Sequence, residues 1–156
     1  MAQHPPHPAA QYLQCHHVMT LATCGSDGPW AAAVFYVNVG PTLYFLSSPS
    51  SRHCRNLAHD PRCAATVQQD TADWAQIKGI QLEGLAVAIE GDEELQARRR
   101  YGDKFPLVGR IDSAPAAIVA ALAKVRWYRL QVQHMHFIDN SQGFGHRETI
   151  DLGRAL

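Results

Sequence analysis

Residues 17–48 read HVMTLATCGSDGPWAAAVFYVNVGPTLYFLSS, and this stretch decides the fold. His17 to Thr23 is apolar and β-branched, and Gly25-Ser26-Asp27-Gly28-Pro29 is a run of turn formers. Trp30 to Val39 reads as a second strand, Gly40-Pro41 turns the chain again, and Thr42 to Ser48 is a third strand. Three short strands joined by tight turns predict an antiparallel meander. Connections this short leave no room for the crossover that parallel strands need.

Beyond this stretch, Pro49-Ser50-Ser51 opens a helix. Ser50 or Ser51 can cap its exposed N–H groups, Cys54 and Leu57 share a face, and Asp60-Pro61 ends it. Arg62 to Gln69 returns to strand, and Gln69 to Gln76 is a polar loop carrying Trp74. Ile77 to Glu90 is a long strand with Gly79 and Gly84 inside it, where glycine suggests a bulge, a barrel corner or the close approach of a ligand. Glu93 to Phe105 reads as a helix broken by Pro106, Ala114 to Lys124 as a second short helix, and Val125 to Ile138 as the last strand. The sum is a mainly β chain of about six strands with two or three short helices in its connections, which a closed or nearly closed antiparallel barrel fits. Closure is favoured because it removes exposed strand edges. The expected domain spans residues 12–147, with a loosely attached tail at 1–11 and a second at 148–156.

Composition narrows the function. Lys plus Arg equals Asp plus Glu at 14 each, so no long-range field draws the chain to nucleic acid or to an anionic membrane. Arg98-Arg99-Arg100, followed by Tyr101-Gly102-Asp103, reads as a solvated helix face. Met1 to Gln14 lacks the apolar core of a secretory signal, and no stretch approaches the roughly 20 apolar residues of a membrane span. The four cysteines form no CxxC pair. The expectation is a cytoplasmic protein whose reduced cysteines act as small hydrophobes. No Ser-His-Asp order, P-loop or HExxH motif is present, which leaves hydrolase and nucleotide triphosphatase readings without support.

Several short segments in fixed order carry a resemblance. They are Leu43-Tyr44-Phe45-Leu46-Ser47-Ser48, Ser51-Arg52-His53, Asn56-Leu57, Asp60-Pro61, Cys63-Ala64-Ala65-Thr66-Val67 and Gln81-Leu82-Glu83-Gly84. Together they resemble the pyridoxamine 5′-phosphate oxidase-like family. Phe35-Tyr36, Gly79-Ile80-Gln81, Lys104-Phe105-Pro106 and Phe137-Ile138-Asp139-Asn140, running into Gly143-Phe144-Gly145, resemble the small bacterial YhbP-like proteins of that superfamily. The resemblance spans residues 17–147. It implies a six-stranded split barrel working as a homodimer, with flavin mononucleotide (FMN) at the subunit interface.

A flavin needs positive charge and donors for its phosphate, an apolar slot for its ring, and hydrogen bonds for its pyrimidine edge. Ser47 and Ser48 with Ser51, Arg52 and His53 offer hydroxyls, a guanidinium and a helix N-terminus within one turn. The family's second Lys is His53 here, so weaker or pH-dependent phosphate affinity is expected. Ala32, Ala33, Val34 and Phe35 offer the slot, although every second residue of this strand should simply fill the barrel. Gln81 matches a family position that reaches the flavin, and Asn140 and Phe144 lie in a glycine-flanked loop able to close over the pocket. His134 and His136 share one side of a strand and, with His16-His17, could form a metal or haem site. No acidic or Cys ligand is fixed beside them, and partly exposed strand histidines is the plainer reading, so no metal is expected.

Three functions follow. One is an FMN-dependent oxidoreductase acting on a small molecule. No convincing Arg-x-His segment for pyridoxal phosphate is found in Gly145-His146-Arg147, and no catalytic side chain is assigned. The second is a flavin or haem carrier without turnover. The third is a barrel that has lost its cofactor.

Overall fold

The meander expected from residues 17–48 is present in the computed structural model, which describes residues 7–154. Helix α1 (Pro8–Cys15) leads into β1 (Val18–Gly25), β2 (Gly28–Val39) and β3 (Thr42–Ser47), and α2 (Arg52–His59) follows. Then come β4 (Arg62–Gln68), β5 (Lys78–Ile89), α3 (Gly91–Lys104), α4 (Pro106–Gly109), α5 (Ala116–Leu122), β6 (Arg126–Asp139) and β7 (Arg147–Thr149). Short 3-10 turns lie at Trp74–Gln76, Ile111–Ser113 and Asn140–Gln142.

All pairings are antiparallel, in the order β3-β2-β1-β4-β5-β6, and β3 also pairs with β6. That last pairing closes a six-stranded barrel. Closure is possible because β6 is long. Its first half pairs β3, its whole length pairs β5, and its last residues carry β7 as an added edge.

The period of two along each strand fills the inside. Met19, Leu21, Tyr36, Leu43, Phe45, Val67, Ile80, Leu130 and Met135 are all fully buried there. Gly84 sits at the one register shift between β5 and β6: Glu83 faces His134 and Gly84 faces Val132, so Gln133 is the extra residue of a bulge. A side chain at Gly84 would collide with the Gln131 carbonyl, which explains the glycine inside this strand.

Among the described residues there are five α-helices where two or three were expected. Pro106 ends α3 as expected but opens the short α4 rather than a loop, since proline fits a first helical position. Residues 7–11 are not a loose tail. The His7 ring accepts the Ala9 N–H, Pro8 starts α1, and Ala9, Ala10, Tyr12 and Leu13 are buried against the barrel. The C-terminal tail is corrected likewise. β7 pairs with β6, Ile150 is buried, and Glu148 meets His7 at 3.3 Å. Residues 1–6 of the first expected tail, and 155–156 of the second, lie outside the described residues. Among the described residues no helix is long and apolar enough to cross a membrane.

Candidate functional site

Helix α2 plugs one end of the barrel and positions the residues of the expected phosphate site. Ser51 is its N-cap, with Oγ accepting the Cys54 N–H at 3.3 Å. Asn56 anchors the helix to β1. It is buried, donates to Thr23 Oγ1 at 3.0 Å, and fills the space that the absent side chain of Gly25 leaves. This plug turns His53 inward, where its Nε2 lies 2.5 Å from Ser47 Oγ and 3.2 Å from Ser51 Oγ. Ser47, Ser51 and His53 therefore form one node between the end of β3 and the start of α2. Ser48 stands apart from it, bonded to Ser50 Oγ at 2.8 Å.

Two further groups join this node that the sequence did not single out. Cys54 is buried beneath it. Burial pushes its thiol up, but His53, Ser51 and Tyr128 outweigh that and hold it below its ordinary value. Arg126 lies directly opposite Ser47 in the β3–β6 register, close enough for its charge to draw down the Tyr128 hydroxyl, which burial raises overall. Only strand pairing could have revealed Arg126, because 79 residues separate it from Ser47 in the chain.

Arg52 does not join the node. Its guanidinium lies over the Trp30 ring at 4.5 Å and donates to the Asp27 carbonyl at 3.0 Å, pinning the β1–β2 turn.

Strand β2 divides its candidates by face. Ala32 and Val34 are on the inner face with Tyr36, while Ala33 and Phe35 point outward. Across the sheet, Ala33 is level with Thr20, Thr66 and Gln81, and Ala31 with Ala22, Ala64 and Glu83. The result is a flat outer face of small side chains on β2, β1 and β4. Exposed Phe35 and Val18 border it. Phe35 meets Phe105 edge-on at 5.3 Å, and His17 packs on the same ring.

Gln81 is exposed at the polar end of this face. With Ala64, Glu83, His134, His136 and Arg147 it lines a recess of 350 Å³. His134 Nδ1 is 2.8 Å from Glu83 Oε1, and His136 contacts Thr149. His16 instead stacks on Tyr12 at the end of α1, so the four histidines do not form one cluster. Among the described residues, no group of three or more His, Cys, Asp or Glu could hold a metal ion.

Asn140 and Phe144 are neighbours in the loop after β6. Asn140 donates to the Trp74 carbonyl and accepts the Gly145 N–H, which joins two loops. Phe144 then stacks on Trp74 at 5.8 Å, and the two rings are 79% and 68% exposed. They form an aromatic ledge at the surface.

Comparison with known proteins agrees with this architecture. The profile of the family described as pyridoxamine 5′-phosphate oxidase matches residues 6–139. A UPF0306 protein of Photorhabdus laumondii is 31% identical over 137 residues, covering 86% of this chain and 87% of the relative. Among solved structures, a haem-binding protein of Mycobacterium smegmatis is 27% identical with a TM-score of 0.71; the match covers 99% of this chain but only 61% of that one. HutZ, the haem storage protein of Vibrio cholerae, has the same fold at 22% identity, with a TM-score of 0.66 over 86% of this chain and 94% of its own. The chain belongs to the pyridoxamine 5′-phosphate oxidase family of split barrels, and within it to the UPF0306 proteins.

Proposed function

We propose that the chain is an FMN-binding oxidoreductase that acts on a small molecule as a homodimer. The observation that supports this reading is the Ser47–Ser51–His53 node, which gathers two hydroxyls and an imidazole at the first turn of α2; the outer face of β2 adds small side chains. The node offers hydroxyls, an imidazole and the first turn of an eight-residue helix, and Arg126 stands opposite as a cation. That donor set suits a phosphate monoester. Ala31, Ala33 and Ala22 let a flat ring lie close to the backbone, and Phe35 and Phe105 give it an apolar border. The same flat face, uncovered in one chain, is where a second copy docks, so the cofactor lies between two chains.

When bound, FMN supplies the hydride or electron transfer. The chain's residues hold the phosphate, shield the ring from water and leave one edge open. The Trp74–Phe144 ledge is the element that can close that edge.

The absorbance spectrum of the purified chain tests the reading. The visible bands of a flavin are expected, with bleaching by a reduced nicotinamide. A colourless protein that also fails to take up added FMN overturns it.

A haem carrier is the second reading. It rests on the similarity to the haem-binding protein of M. smegmatis and on the outward pair His134 and His136. A Soret band in place of flavin bands would favour it.

A further inference from the structure

Helix α5 reads AAIVAAL, seven apolar residues in a row, yet none of them is buried. An apolar helix of this kind ordinarily gives up one face to a core. Here it stands off from the start of β6, across an open groove of 800 Å³. Val119 and Leu122 form one wall and Trp127 part of the floor. The other wall comes from α3, α4 and Arg110 just after it, and it is charged: Arg98, Arg99 and Arg110 all line the groove, against the single carboxylate of Asp103. Arg98 is partly neutralised by Glu94 at 2.6 Å and lies over Trp127 at 5.5 Å. Among the described residues, neither Arg99 nor Arg110 makes an ion pair. In a chain of zero net charge this is a local excess of positive charge beside uncovered apolar surface.

We propose that this groove is a binding site for an amphipathic anion, an organic acid with an aliphatic body. The apolar body would cover α5 and Trp127, and the acid group would meet Arg99 and Arg110. The volume falls in the ordinary range of ligand pockets, roughly 300–1,000 Å³. A second copy of the chain fits less well. A two-fold contact sets a patch against itself, which would bring the arginines of one protomer against those of the other. Haem is also disfavoured: no His, Cys, Met or Tyr lines the groove to bind iron. The site is separate from the Ser47–His53 node and does not depend on FMN binding.

Calorimetric titration of the full chain with dodecanoate tests the proposal, with dodecyltrimethylammonium as the opposite-charge control. Saturable binding of one dodecanoate per chain is expected, with the cation weaker by about tenfold or more, the usual worth of a charge-assisted contact. The exposed double substitution R99E/R110E should remove about the same factor, and Val119→Arg should block the body. The melting temperature of each variant confirms that it folds. FMN uptake by all variants should match the parent, which separates this result from the fate of the flavin reading. Absent saturation, equal affinity for both amphiphiles, or binding indifferent to all three substitutions overturns the proposal. So does a groove found closed by self-association.

Discussion

The two outer faces of the barrel solve opposite problems. Behind β3, β6, the end of β5 and the last part of β2 the outward residues are large: Val37, Tyr44, Leu46, Ile89 and Trp127. Helix α3 covers them with Ala97 and Tyr101 and so builds a second small core, in which Tyr101 meets Trp127 edge-on at 5.2 Å. Behind the first part of β2, β1 and β4 the outward residues are Ala31, Ala33, Ala22, Ala64, Thr20 and Thr66, and no helix among the described residues covers them. Large outward side chains are thus matched by a helix of the same chain. Small ones leave a flat surface that suits a ring and a second protomer. The difference shows where a barrel with a filled interior leaves room for the proposed site: on the wall, not in the lumen.

The covered face should be the more costly to damage. Trp127→Ala empties the second core and is expected to lower unfolding free energy by about 3–5 kcal/mol in urea denaturation. A loss within the range of surface substitutions, about 0.5 kcal/mol, would mean that α3 is not part of the cooperative unit. The uncovered face should behave the other way. Ala33→Arg should leave the monomer's stability nearly unchanged. It should weaken association by about 3 kcal/mol, because an unpaired charge would be buried against the partner. Sedimentation would then report single chains, with FMN uptake lost. An unchanged dimer would move the interface elsewhere.

These faces were unequally legible in the sequence. Strand alternation and the turns at Gly25–Pro29 and Gly40-Pro41 made the antiparallel strands legible, because period and turn chemistry are local, and the order of the family-like segments supplied the six-stranded barrel. The structured segments near both ends were not legible, for a related reason. Helix α1 places Ala9, Tyr12 and Leu13 on one side, with Pro8 at its first position, a pattern short enough to pass for a proline-rich tail. Ile150 carried no local signal, since a single apolar residue in a polar stretch has no period. In the site, Ser47, Ser51 and His53 were legible as neighbours along the chain. Arg126 was not, because the register of β6 against β3 depends on barrel closure. Arg52 was expected at the phosphate, but side-chain direction is set by what lies nearby, and Trp30 lies nearby.

Arg52 therefore sharpens the comparison at the border between the faces. Arg52→Ala is expected to weaken FMN binding by about 1–3 kcal/mol if the guanidinium swings from Trp30 to the phosphate. Fluorescence titration with FMN reads this directly. Unchanged affinity would leave Arg52 as a pin for the β1–β2 turn and shift the cation's role to Arg126.

The smallest effect concerns Lys104, where α3 reaches past its own core to hold α1. Its Nζ donates to the Leu13 carbonyl at 3.1 Å and to the His16 carbonyl at 2.6 Å, over the Tyr36 ring. Burial lowers its ammonium from the ordinary lysine value to about 8, with the Cys15 thiol opposing this slightly. The unfolded chain then holds more protons than the folded one between about pH 8 and the ordinary lysine range. Stability conferred through this group should therefore rise with pH across that window and be flat below it. Lys104→Met removes the titration, so the difference in unfolding free energy between parent and variant should change across the window and stay constant under pH 7. A parallel pair of curves would show that Lys104 is solvated in solution and that α1 is held by Leu13 and Tyr12 alone.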